Sequence, residues 1–460
     1  MRNNVLEVHP LVEYYRCPEK YISVTYPKDR SLGKGYFQCG DGVTCYGSYA
    51  GRSPSSDPPG TWLNALCDTE LKNGIVHIPF DPSEVIDNLR LEAYASGWRD
   101  KFPMAALATI YYFFRPVLPV KMRKHLQEFH FRGWREFTFP RWPVDCSVDN
   151  LMGQLLSLTL KAGGATRIPF IWFWPEGATS CAMMTHDIET ELGCKFCGML
   201  MDTDDTFGIK ASFEVIPEQR YSVTPEFLAS IRDRGFEIVV HDLNHDGHLF
   251  RNRKQFLERA KKINSHAAEY GAEGFRAASL YRKQLWYDAL NVSYDMSIPN
   301  VAHLDPQRGG CCTVMPYFIG DVLELPVTTT QDYTLFNILN DYSIELWKQQ
   351  IEIIMAKHGL MSFIVHPDYV TRSESRRVYE ALLVYLSCIE EEKGVWIGTP
   401  GEVNRWWRQR AAMSLQCCSI GWRIEGPGSE RARLAYAYLG DDGQLAYEVE
   451  SVPAEGRANR

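Results

Sequence analysis

Cys181-Ala182-Met183-Met184-Thr185-His186-Asp187-Ile188-Glu189 is an apolar run that ends on two carboxylates spaced i, i+2. A second stretch, Phe236-Glu237-Ile238-Val239-Val240-His241-Asp242-Leu243-Asn244-His245, is an apolar run that ends on two histidines spaced i, i+4. Short apolar runs of this kind read as buried strands. Burying an unpaired carboxylate or imidazole is costly, so the polar residues are expected at the mouth of a sheet or barrel rather than within it. One carboxylate and two imidazoles form a three-ligand set that leaves a divalent ion an open position for water. An HxxxH spacing alone more often marks solvated or capping residues. The recurrence of such residues at successive strand ends is what favours a site.

Working outward, apolar runs alternate with helical ones from about residue 165, the pattern of βα units and a parallel sheet. Strands are expected at 180–188, 209–217, 236–241, 274–278, 293–298, 322–328, 361–366 and 395–398. The helices between them have legible ends. Thr224 before Pro225 is an N-cap with proline at the first helical position, and Gly235 closes that helix. Phe256, Ala260, Ile263, Ala267 and Tyr270 share one helical face before Gly271. Further helices are expected from about Ser343 to Lys357 and from Ser373 to Lys393, the latter turning Val378, Leu382, Tyr385, Leu386 and Ile389 to a core. The fold class is α/β, and the strand count favours a (β/α) barrel, complete or not, over an open doubly wound sheet. Either fold puts its site at the C-terminal strand ends. There the sequence carries Asp187, Glu189, His241, His245, Arg276, Asp295, and His366 with Asp368.

Residues 1–165 hold short apolar pieces broken by Pro and Gly, and are expected to form a mixed or β-rich accessory region. Residues 166–412 are the expected barrel, and 413–460 a small β appendage. Ala105 to Phe114 reads as an apolar helix, followed by Arg115, Lys121, Arg123, Lys124 and Arg132. This basic stretch offers a peripheral contact with an anionic membrane face, although a buried helix followed by a solvated one is the simpler reading.

The chain has 460 residues, 45% apolar and 23% charged, the composition of a globular protein. A formal charge of -8 and the absence of a basic block argue against nucleic acid as a partner. No apolar run is long enough for a membrane span and the first residues lack a secretory apolar region, so a cytoplasmic location is expected. Thirteen cysteines in no secreted-scaffold pattern are expected to remain thiols, with Cys194-Lys195-Phe196-Cys197 structural.

Taken in order, Thr185 to Glu189, His241 to His245, Gly274-Phe275-Arg276, Tyr294-Asp295-Met296-Ser297, Leu325-Pro326 and Ile364-Val365-His366-Pro367 resemble the motif series of the NodB-homology polysaccharide deacetylases. That family is related to carbohydrate esterase family four, and the resemblance covers about 170 to 410. It implies an irregular (β/α) barrel that removes an N- or O-acetyl group from a sugar with a divalent metal. Carried over, it implies Asp187 as catalytic base, His241 and His245 as metal ligands with Glu189 as the metal carboxylate, Arg276 orienting the base, and His366 as general acid. Three features depart from the pattern: Glu189 where Asp is usual, Ala277-Ala278-Ser279 after the arginine, and no recognisable export signal. His303 to Cys312 reads as a long loop over the barrel mouth.

The resulting expectation is a hydrolase of non-peptide carbon-nitrogen bonds, acting on an acetylated sugar or glycan intermediate. Zinc is the expected ion for a mixed nitrogen and oxygen ligand set. Asp295, Trp286 and Tyr317 are expected to contact the substrate, the aromatics by stacking on a sugar ring. Two alternatives are a metal-dependent amidohydrolase of a small non-sugar amide and a non-catalytic glycan-binding protein on the same fold.

Overall fold

The computed structural model describes residues 9–27, 33–58, 62–95, 133–163, 165–419 and 421–450. Ala105 to Phe114 and the basic residues from Arg115 to Arg132 lie outside the described residues. The chain divides into two compact units, one of Met1–Asp87, Ser147–Thr179 and Arg405–Arg460, the other of Asn88–Cys146 and Ser180–Asn404.

The second unit is built on a nine-stranded sheet. Its strands are β1 (Cys181–Ile188), β2 (Ala211–Val215), β3 (Glu237–His241), β4 (Gly274–Arg276), β5 (Tyr294–Asp295), β6 (Tyr317–Ile319), β7 (Val322–Glu324), β8 (Leu360–Ile364) and β9 (Trp396–Ile397). They run in the order β6-β7-β5-β4-β3-β2-β1-β8, with β9 paired to the start of β1. All pairs are parallel except β6 with β7, a hairpin turned at Gly320, which has φ +60°. Eight of these strands fall where the apolar runs place them. The ninth, β6, was not expected, because three residues before a Gly-Asp turn leave no periodicity to read.

Every residue of β1, β2 and β8 is buried, as expected of parallel strands covered on both faces. The covering helices are α1 (Glu191–Thr206), α2 (Pro225–Arg232), α3 (Arg253–Tyr270), α4 (Glu345–Met355) and α5 (Ser373–Lys393). Phe256, Ala260, Ile263, Ala267 and Tyr270 are the buried face of α3. Asn252 caps its start by accepting from Gln255 N at 2.9 Å, and Gly271 ends it at φ +58°. Gly274 has no side chain for a packing reason: a Cβ there would lie 2.2 Å from the Tyr294 ring.

The sheet does not close through backbone pairs among the described residues, because its two end strands are β6 and β8. One backbone bond, Leu360 N to Val314 O at 2.8 Å, and threonine hydroxyls bridge the seam. Thr328 Oγ1 donates to Leu360 O at 2.7 Å and accepts from Ser362 N at 2.9 Å, while Thr329 Oγ1 donates to Ser362 O at 2.7 Å. The unit is a curled parallel sheet, an irregular barrel whose last side is held largely by side chains.

The first unit differs from the expected cuts at 165 and 412. Arg167–Ile171 pairs antiparallel with Leu434–Leu439, which pairs with Leu445–Val449, so segments expected to belong to three separate regions share one unit. Arg410 is buried among them and donates to Trp172 O, Ile171 O and Tyr14 O at 2.9, 2.7 and 3.0 Å. The C-terminal strands are β-structure as read: Leu434–Leu439 and Leu445–Val449 belong to this sheet, while Ser414–Cys418 pairs with Gly421–Glu425 in a separate two-stranded one.

Candidate active site and metal centre

Side chains two residues apart on a strand share a face, so Thr185 and Asp187 point the same way from β1, and Glu189 follows just past its end. His241 is the last residue of β3, Arg276 the last of β4 and register partner of His241, and His366 lies two residues beyond β8. Parallel strands therefore deliver all of them to the C-terminal edge of the sheet, where ligands bind in α/β folds.

Asp187 and Arg276 form the buried centre. Arg276 Nη1 lies 2.5 Å from Asp187 Oδ1 and 2.7 Å from Thr185 Oγ1, and its Nε donates to Met296 O at 3.1 Å. Burial opposes ionisation of Asp187, but Arg276, His241 and His366 outweigh it and hold the carboxyl below its usual range. Glu214 stands behind, 3.8 Å from Arg276 Nη1, accepting from His186 N at 2.7 Å and from the Ser212 hydroxyl. Burial pushes Glu214 up to about 7 although Arg276 pulls the other way.

One ligand atom from each of Glu189, His241 and His245 lies within 4.8 Å of the others. His241 Nδ1 is 3.1 Å from Arg276 O, which can only accept, so Nδ1 carries the hydrogen and Nε2 turns a lone pair to the cluster. His241 Nε2 and His245 Nε2 are both buried without a hydrogen-bond partner. His245 Nε2 is 2.8 Å from Glu189 Oε1, close enough for attraction but outside hydrogen-bond geometry. Buried nitrogens are rarely left unmatched, so two orphaned imidazole nitrogens facing a carboxylate fit a divalent cation. Burial presses the Glu189 carboxyl towards neutrality, but His245 and His366 hold it well below the usual range; burial also lowers His241 to about 4.

His366 completes the arrangement. Its Nε2 is 3.6 Å from Glu189 Oε1, and its Nδ1 is 2.6 Å from Asp332 Oδ1. Burial lowers its basicity, but Asp332 outweighs this and raises the imidazole well above its ordinary range. Tyr369 lies against the ring with centroids 4.9 Å apart.

No protein-family model matches the chain, and no curated protein matches it. Solved structures do. A protein described as a polysaccharide deacetylase from Mycobacterium smegmatis is 18% identical over 52% of this chain and 93% of its own, at a TM-score of 0.42. The PuuE allantoinase is 13% identical over 51% and 92%, at 0.43. The peptidoglycan deacetylase PdaC from Bacillus subtilis is 12% identical over 52% and 96%, at 0.34. Two of these three are described as deacetylases and one as an allantoinase.

The structure thus brings Asp187, Glu189, His241, His245, Arg276 and His366 together, and shows three expected substrate contacts with internal partners. Asp295 is fully buried and accepts from Ser297 Oγ at 2.7 Å and Ser297 N at 3.1 Å. Trp286 packs on Phe256 and Phe250, with centroids 5.3 and 6.2 Å away. Tyr317 is buried under the Arg90 guanidinium, 4.9 Å from its ring. Each of these side chains is already engaged in packing or internal hydrogen bonds. Asp368, partly buried, stands against Gly193 at the start of α1.

Sequence reasoning missed Glu214 and Asp332. A lone glutamate in the apolar strand Ala211-Ser212-Phe213-Glu214-Val215 was a readable signal. Asp332 gave none, since no spacing links it to His366.

Proposed function

We propose that this protein is a metal-dependent deacetylase that hydrolyses an N-acetyl or O-acetyl group from a sugar or glycan intermediate, with zinc held by Glu189, His241 and His245. The observation that carries the reading is the pair of orphaned buried nitrogens, His241 Nε2 and His245 Nε2, facing Glu189 beside a carboxylate held by arginine and an imidazole held by aspartate. A divalent ion bound there supplies Lewis acidity, polarising a carbonyl and lowering the pKa of water.

The chain's own residues do the rest. Asp187, kept ionised and aimed by Arg276, takes the proton of the attacking water as the new carbon-oxygen bond forms. His366, its Nδ1 side held by Asp332, presents Nε2 to the cluster and gives a proton to the departing nitrogen or oxygen as its bond to the acetyl carbon breaks. Without that proton an amine would have to leave as an amide anion.

The test has two parts. Metal analysis of the purified protein should find one divalent ion, lost in His241→Ala while the fold persists. Acetate release should then be compared across short acetylated sugars, carrier-linked acetylated sugars, insoluble chitin or peptidoglycan, and small non-sugar amides. Metal occupancy unchanged in His241→Ala removes the metal centre from this reading. Turnover confined to the small amides removes the sugar.

A further inference from the structure

The two histidines of the proposed metal centre are oriented by different means, and the difference singles out residues remote from the cluster. His241 is aimed through its own ring, by the Nδ1 contact with Arg276 O. His245 has no such acceptor among the described residues: its Nδ1 lies 3.4 Å from Arg220 Nη2, whose short contact is with the His245 carbonyl instead. Apart from its contact with Glu189 Oε1, the His245 ring is therefore directed by its backbone.

That backbone is unusual. Asp242 and His245 both adopt left-handed conformations, φ +56° and +55°, which non-glycine residues enter at a cost and keep only when their surroundings hold them there. The entry to the turn is fixed by the sheet, where Asp242 N donates to Arg276 O at 2.8 Å and Glu218 N to Leu243 O at 3.0 Å. The exit is held by two arginines from other elements. Arg220 donates from Nε to Asn244 O at 3.2 Å and from Nη2 to His245 O at 2.5 Å. Arg259, on α3, grips the Asp246 carboxylate with both Nη atoms at 2.7 and 2.6 Å, and Asp246 Oδ1 also accepts from His248 N at 2.8 Å.

We propose that Arg259, acting through Asp246, and Arg220 are positioning residues that hold His245 in the strained turn from which it can ligate the metal. The inference rests on the metal reading above. A partly exposed ion pair contributes little to global stability. Loosening this one should instead be felt at the ligand, as when groups that orient metal ligands are removed.

The test measures zinc affinity of the full chain by chelator competition, beside the melting temperature of the metal-free protein. Arg259→Gln should weaken zinc binding about 10- to 100-fold while the metal-free melting temperature stays near wild type. Arg259→Lys, which keeps the charge but not the two-pronged grip, should recover only part of the loss. If Arg259→Gln does not fold, Arg220→Gln carries the same expectation. Wild-type protein that binds zinc while these variants bind it equally well overturns the inference alone, as does an affinity loss matched by an equal loss of metal-free stability. Wild-type protein that binds no divalent ion overturns the metal reading and this inference together.

Discussion

Asp332 holds His366 at two points: its Oδ1 lies 2.6 Å from the ring Nδ1, and its Oδ2 accepts from the His366 backbone N–H at 2.8 Å. One carboxylate thus fixes both where the imidazole sits and which nitrogen faces the cluster. Asp332→Asn should keep the backbone contact and lose the charge. The expected result is a fall in kcat of roughly tenfold to a hundredfold with bound metal retained, read from steady-state kinetics and metal analysis of one preparation. Unchanged kcat would leave Asp332 with a structural role.

Asp187 and His366 are assigned different protons, one taken from water and one given to the leaving group. Asp187→Asn and His366→Ala should each lower turnover by at least about a hundredfold, the usual scale for general acid or base groups. The double variant should lose less than the product of the two, because residues that act as a unit are not additive. Near-normal turnover in either single variant returns that residue to structure.

Glu214 makes stability depend on pH in a definite direction. Its folded value, near 7, lies above the ordinary 4.5, so between these limits the unfolded chain has released a proton that the native protein keeps. Stability from this group is therefore lost as pH rises through that window, with a slope of at most about 1.4 kcal/mol per pH unit. Glu214→Gln lacks this titration. Denaturant unfolding across pH 5 to 7.5, a range chosen to span about the shifted group's titration, should show the wild type losing ground to the variant. Parallel curves would refute the assignment.

The Thr328 hydroxyl serves Leu360 O and Ser362 N at the seam, both on a fully buried strand. Thr328→Val leaves these groups without that partner and should cost about 1–3 kcal/mol, seen in chemical denaturation. Thr328→Ser, which keeps the hydroxyl, should lose much less. If valine and serine behave alike, the seam is held by apolar packing rather than by the hydroxyl.

The strands carrying the site were legible because their signal is local. β1 and β3 are short apolar runs that stop at charged or imidazole residues, and the buried face of α3 repeats at helical spacing. The relation of Asp187, Glu189, His241, His245, Arg276 and His366 to one edge also follows from local reading, since parallel strands present their C-terminal ends together.

What the sequence by itself determined, then, is the βα alternation, the residues at its strand ends and, through the motif order, the chemistry to expect of them. Tertiary structure alone decided which groups serve them. Asp332 reaches His366 across 34 positions, and Arg276 reaches Asp187 across 89. It decided too that Arg167–Ile171 pairs with Leu434–Leu439, and that Asp295, Trp286 and Tyr317 are already engaged by Ser297, Phe256 and Arg90. The physical reason is the range of the forces being read. Hydrophobic periodicity acts within one element and is written in consecutive residues, whereas a buried charge is satisfied by any partner the fold brings within about 3 Å, whatever its place in the chain.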